Sequence, residues 1–95
     1  IKRARGIRFS IISNQQQILF LVESSRGSKY TCYKYPVPIT IGKIMTIEIL
    51  FKDLLPYDRW TAPLKLENVR DISFRTTRAP LDNVLIEIFG LEFIN

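Results

Sequence analysis

Two short stretches hold the side chains best suited to chemistry. In KYTCYKYP, residues 29–36, tyrosines are interleaved with lysines, and in YDRW, residues 57–60, an arginine lies among further aromatics. Rings beside cations suit single-stranded nucleic acid: a base stacks on each ring for about 1–3 kcal/mol while Lys or Arg follows the phosphates. A third cluster, Lys2, Arg3 and Arg5, has the composition of a basic arm. The candidate nucleic-acid-binding residues are therefore Lys29, Tyr33, Tyr35, Tyr57, Arg59, Trp60, Arg3 and Arg5. Each also has a plainer reading. Tyr30, Tyr33 and Tyr35 suit ordinary cross-strand packing, Trp60 suits a pin holding its loop to the body of the domain, and the basic cluster suits a solvated terminus.

Other chemistry has little to work with. The chain has no His and a single Cys, Cys32, which removes His-based acid–base catalysis, His/Cys zinc sites and internal disulfides. With nothing to activate it, Cys32 reads as a small buried apolar residue. The carboxylates Asp53, Asp58, Glu67 and Asp71 are scattered, and no phosphate-binding loop or nucleophile motif is present. The expectation is a non-enzyme with no catalytic residue, no metal and no cofactor.

Charge is unevenly spread. Residues 1–52 carry nine basic and two acidic residues, whereas residues 53–95 carry five basic and seven acidic ones. A domain so divided can turn one side to a polyanion and the other to water or a protein partner. Charge that only maintains solubility is the alternative.

The elements that must position these groups read as strands. Ninety-five residues, 46% of them hydrophobic, suffice for one core, so 1–95 is expected to be a single domain with residues 1–4 as a flexible basic arm. From Arg5 to Ile12, Ile7, Phe9 and Ile11 share one face and Arg8 and Ser10 the other. Residues 18–23 are apolar on both faces, as in a covered central strand, and SSRGS at 24–28 supplies a hairpin turn. In the third strand Lys29, Thr31, Tyr33 and Tyr35 share one face, with Tyr30, Cys32 and Lys34 on the other. Pro36 and Pro38 offer no N–H, so PVPITIG is expected to be an extended connector without strand pairing.

Alternation resumes from Lys43 to Lys52 with Met45, Ile47, Ile49 and Phe51 inward. DLLPYDRWTAP, residues 53–63, is the longest irregular connection. Leu64 to Arg75 reads as a strand whose phase slips at Glu67–Asn68, where a bulge is expected. After a turn-rich stretch at 76–83, residues 84–94 (VLIEIFGLEFI) form a last strand with a bulge or kink at Gly90. The predicted fold is all-β: a small antiparallel Greek-key barrel of five strands plus a C-terminal strand, with little helix.

PITIGKIMTIEILFK at 38–52 followed by LKLENVRDISF at 64–74 resembles the second half of an oligonucleotide/oligosaccharide-binding (OB) fold. Gly42–Lys43 opens the alternating fourth strand, and Leu64, Leu66, Val69 and Ile72 space the fifth. The chain departs from the pattern in two ways: its proline-rich connector replaces the helix many OB domains place there, and it adds a sixth strand. The resemblance implies a binding face on strands two and three, framed by the loops after strand one and between strands four and five.

The leading expectation is a non-catalytic module that binds single-stranded DNA or RNA. The alternative is a protein-interaction or assembly subunit, viral structural components included, that pairs with a second copy or another protein through residues 84–94, apolar on both faces around Glu87 and Glu92. No apolar run is long enough to span a bilayer, and no signal-peptide pattern follows the basic start, so a soluble intracellular protein without a membrane partner is expected.

Overall fold

Strict alternation builds the first strand. In β1 (Gly6–Ser13) Ile7, Phe9 and Ile11 are buried almost completely while Arg8, Ser10 and Ile12 point the other way. The computed structural model describes residues 3–26, 29–59, 61, 63–66, 69–76 and 84–95, with the backbone alone for 25, 26, 29 and 30. β4 (Met45–Leu50) runs antiparallel to β1 and sets Ile49, Ile47 and Met45 opposite Ile7, Phe9 and Ile11. Where the pair begins, a Cβ on Gly6 would collide with the carbonyl oxygen of Ile49, so only glycine lets the backbones approach this closely.

On the other side of β1 lies β7 (Ile86–Ile94), giving a sheet of order β4-β1-β7. The pairing moves from Arg8↔Glu92 to Ser10↔Phe89, so β7 carries one residue more than β1 across this interval. Gly90, at φ +64, supplies the left-handed residue there, and the expected bulge is present. The extra residue keeps Ile86 and Ile88 facing the core while both Glu87 and Glu92 face outward, opposite Ile12 and Arg8.

The second sheet has four strands. β2 (Gln17–Arg26) is central, between β3 (Lys29–Pro38) and β6 (Asp71–Thr76). Its apolar residues on both faces suit that place: Ile18, Phe20 and Val22 enter the core, and Leu21 is fully buried on the opposite face. A two-residue strand, β5 (Leu55–Pro56), adds to the outer side of β3 after a short 3-10 turn at Phe51–Asp53.

β3 does not stop at the prolines. Pro36 and Pro38 lie opposite Leu19 and Gln17 within the ladder. The carbonyl of Cys32 accepts the Tyr57 N–H, so even-numbered residues of β3 direct their backbone groups away from β2. Both prolines are even-numbered, and their missing N–H falls on an edge where no strand pairs among the described residues.

The core lies between the two sheets. Phe74 of β6 meets Phe9 edge-on at 5.0 Å between ring centroids and Phe20 at 5.3 Å, so one ring joins both layers. The molecule measures 18 Å in its shortest direction, as fits two sheets roughly 10 Å apart with their outer side chains. It is an open antiparallel sandwich where the sequence suggested a closed barrel: among the described residues no ladder joins the sheets. Closure on one side would pair β4 with the edge where β3 carries its prolines and β5 has only two residues, which offers few donors.

The fifth predicted strand is shorter than expected, beginning at Asp71. Leu64, Leu66 and Val69 pack on the core without forming strand, held in part by a turn in which the Val69 N–H donates to the Leu66 carbonyl. The bulge expected at Glu67–Asn68 lies outside the described residues.

Candidate functional site

Tyr33 and Tyr35 of β3 face inward. Tyr35 lies opposite Phe20 and Tyr33 opposite Val22, and paired residues of an antiparallel ladder share a face. Phe20 and Val22 are fully buried, so both rings lie on the core side, half-buried against the hydrophobic cluster. Lys29 begins the strand opposite Arg26, and its side chain lies outside the described residues. The outward face of β3 carries Cys32 and Lys34. Cys32 is buried, as the sequence suggested, at 2% exposure.

Lys34, which the sequence did not single out as a binding residue, supplies the cation for the loop after β5. Its Nζ lies 5.4 Å from the ring centroid of Tyr57, an exposed aromatic whose own N–H donates to the Cys32 carbonyl at 2.9 Å. At this distance ammonium and ring attract. Asp58 follows, accepting from the Thr61 hydroxyl at 3.2 Å, and then Arg59, which is exposed. Trp60 lies outside the described residues. Tyr57 is thus joined to the outward lysine of β3 while Tyr33 and Tyr35 face the core.

Arg3 is exposed in a turn, Ala4 is buried, and Arg5 is bound. The Arg5 N–H donates to the Ile94 carbonyl at 2.6 Å and its Nε to the Asn95 carbonyl at 2.9 Å, while its own carbonyl accepts from the Phe51 N–H. Arg5 therefore clasps the end of β7. Ala4, the last residue of the stretch expected to be an arm, is buried in the core cluster.

A charge ladder crosses the outward face of the first sheet. Arg8 lies between Glu48 of β4 and Glu92 of β7, with Nη2 2.6 Å from Glu48 Oε1 and Nη1 2.7 Å from Glu92 Oε1. The hydrogen bond to Glu92, then that to Glu48, holds the guanidinium pKa above its ordinary value. Sequence reading placed Arg8 outward but not its partners, which lie 40 and 84 residues away.

The ladder ends on β7, whose far edge is unpaired among the described residues. Phe89, Leu91 and Phe93 are 45%, 41% and 41% exposed. The Leu85 carbonyl accepts from the Asn14 N–H and the Ile94 carbonyl from the Arg5 N–H, so both residues direct their backbone groups toward β1. Alternation on either side of the bulge then turns the N–H and C=O of Ile86, Ile88, Leu91 and Phe93 to the open edge. Beside the start of β7, a pocket of about 230 Å³ is lined by Ile12, Ser13, Asn14, Gly42, Leu85 and Glu87.

The fold so described defines the chain as an all-β, two-sheet sandwich in which the apolar outer edge of β7 is unpaired among the described residues. Searches against family models, curated proteins and solved structures return no match. No group of three or more His, Cys, Asp or Glu able to hold a metal ion occurs among the described residues, and none of their helices is long and apolar enough to cross a membrane.

Proposed function

We infer that this chain is a non-catalytic interaction module that accepts an extended strand from another polypeptide along β7. The observation that carries this reading is the nine-residue edge strand with Phe89, Leu91 and Phe93 exposed and four residues directing backbone groups outward. Soluble domains usually blunt such edges with lysine, proline or very short strands. β5 is blunted by its length and β3 by its prolines, whereas β7 runs nine residues with no Lys, Arg or Pro and is interrupted only by the Gly90 bulge and the charges of Glu87 and Glu92. Strand addition recruits main-chain hydrogen bonds for affinity and side-chain pockets for specificity.

Display selection with random extended peptides tests the proposal, using Phe93→Pro as counter-screen. This substitution removes an edge-directed N–H and no bond to β1. Alternating apolar peptides should be enriched on the wild type alone; a selection that enriches nothing, or peptides held equally by both proteins, refutes it.

A second reading, single-stranded nucleic acid binding, is favoured by the Lys34–Tyr57 pair and by the OB resemblance of residues 38–74. Its surface is the outward side of β3 with Tyr57 and Arg59. Titration of labelled oligonucleotides at two salt concentrations tests it, with steep weakening as salt rises expected. Absence of binding at low salt would remove it.

A further inference from the structure

We propose that the segment received by β7 is basic, carrying two Lys or Arg residues four apart on its outward side. The inference rests on the strand-addition reading and names the chemistry of the partner. Across the outward face of the first sheet the charges alternate from Glu48 to Arg8 to Glu92 and stop at the open edge with a carboxylate. Arg8 engages Glu92 through Oε1 alone. The other outward carboxylate of β7, Glu87, lies opposite Ile12 and has no cation among the described residues. A strand laid on the open edge places side chains directly beside both glutamates, where opposite charges attract and like charges repel.

The spacing follows from the bulge. β1 meets Glu92 with Arg8 and Glu87 with Ile12, four residues apart although the glutamates are separated by five. An added antiparallel strand must keep both basic residues on one face, which an even spacing satisfies. Between them, an outward apolar residue would lie beside Phe89, and the alternate inward positions would lie beside Phe93, Ile88 and Ile86. A second copy of β7 does not fit this description, because Ile86–Ile94 contains no cation.

Synthetic alternating peptides of β7's own length test the idea by fluorescence anisotropy. One carries arginine at the two outward positions, a second glutamate and a third glutamine. Two opposed pairs at roughly 0.2–1 kcal/mol each, set against two repulsive ones, predict about tenfold tighter binding of the arginine than of the glutamate peptide. The difference should collapse in 1 M salt, where screening acts within about 3 Å. Glu87→Lys should reduce the preference, and the arginine peptide methylated on alternate edge-facing nitrogens should not bind, a control that leaves the protein's own fold untouched.

Equal binding of all three peptides, each lost on methylation, would overturn the basic partner while leaving strand addition intact. A dimer of the chain itself that Phe93→Pro dissolves would do the same. No binding of any peptide, or binding indifferent to methylation, would overturn both.

Discussion

Arg8 and Glu92 face each other across β1 and β7 with Nη1 2.7 Å from Oε1, while two residues further along β1 Ser10 meets Phe89, where an unbroken ladder would bring Gly90. This one-residue slip around Gly90 sets the outward pattern of β7. The same ion pair anchors β7 to β1 on the outward face of the sheet and leaves the other flank of β7 to the open edge.

Replacing Arg8 with leucine should lower the melting temperature, because it leaves Glu48 and Glu92 flanking an uncharged residue. Both carboxylates and the guanidinium are exposed, so the deficit should shrink as salt is raised. Because the folded guanidinium pKa is raised, its contribution is fully present below the ordinary arginine value and is lost only as pH rises through the folded value. Melting curves from neutral pH to about pH 10 should therefore show the same difference between wild type and Arg8→Leu.

Gly90→Ala should destabilise the domain by about 1 kcal/mol, from left-handed backbone strain alone, since a Cβ there meets nothing within 4 Å. Gly90→Asn should cost less, because asparagine tolerates this conformation better. Chemical denaturation reads the ordering, and amide exchange should locate the loosening in β7.

Phe20→Ala should cost about 3–5 kcal/mol, as expected for deletion of a fully buried ring that also supports Phe74. Chemical denaturation midpoints measure it. A loss below about 1 kcal/mol would contradict the packing of the two sheets around Phe74.

Tyr33→Ala and Tyr57→Ala should separate packing from binding. Tyr33 supports the core, so its loss should lower stability, whereas exposed Tyr57 should leave the melting temperature nearly unchanged. If the chain binds oligonucleotides, Tyr57→Ala should weaken binding by roughly 1–3 kcal/mol with little change in salt slope. Lys34→Ala should lower that slope by about one phosphate contact.

Where one face of a strand is apolar and the other polar, the residues alone decide the outcome. Ile7, Phe9 and Ile11 alternate with Arg8 and Ser10, and Ile47 and Ile49 with Thr46 and Glu48, so β1, β4 and their inward faces are legible from period-two patterning. The covered central position of β2, the burial of Cys32 and the bulge at Gly90 are legible for similarly local reasons. β3 is different, because both of its faces mix aromatic, polar and basic residues. Only its register against β2, with Tyr35 opposite Phe20, turns Tyr33 and Tyr35 to the core and Lys34 to Tyr57. Only the direction of the β3 backbone makes Pro36 and Pro38 acceptable within a ladder. The ion pairs of Arg8 and the clasp of Arg5 on Ile94 join residues 40 or more positions apart, so no local pattern announces them. Amino-acid order specifies which faces are able to be buried through the short-range geometry of the strand; which face meets the core when both are able, and which edge stays open, depends on contacts that exist only once the sheets have assembled.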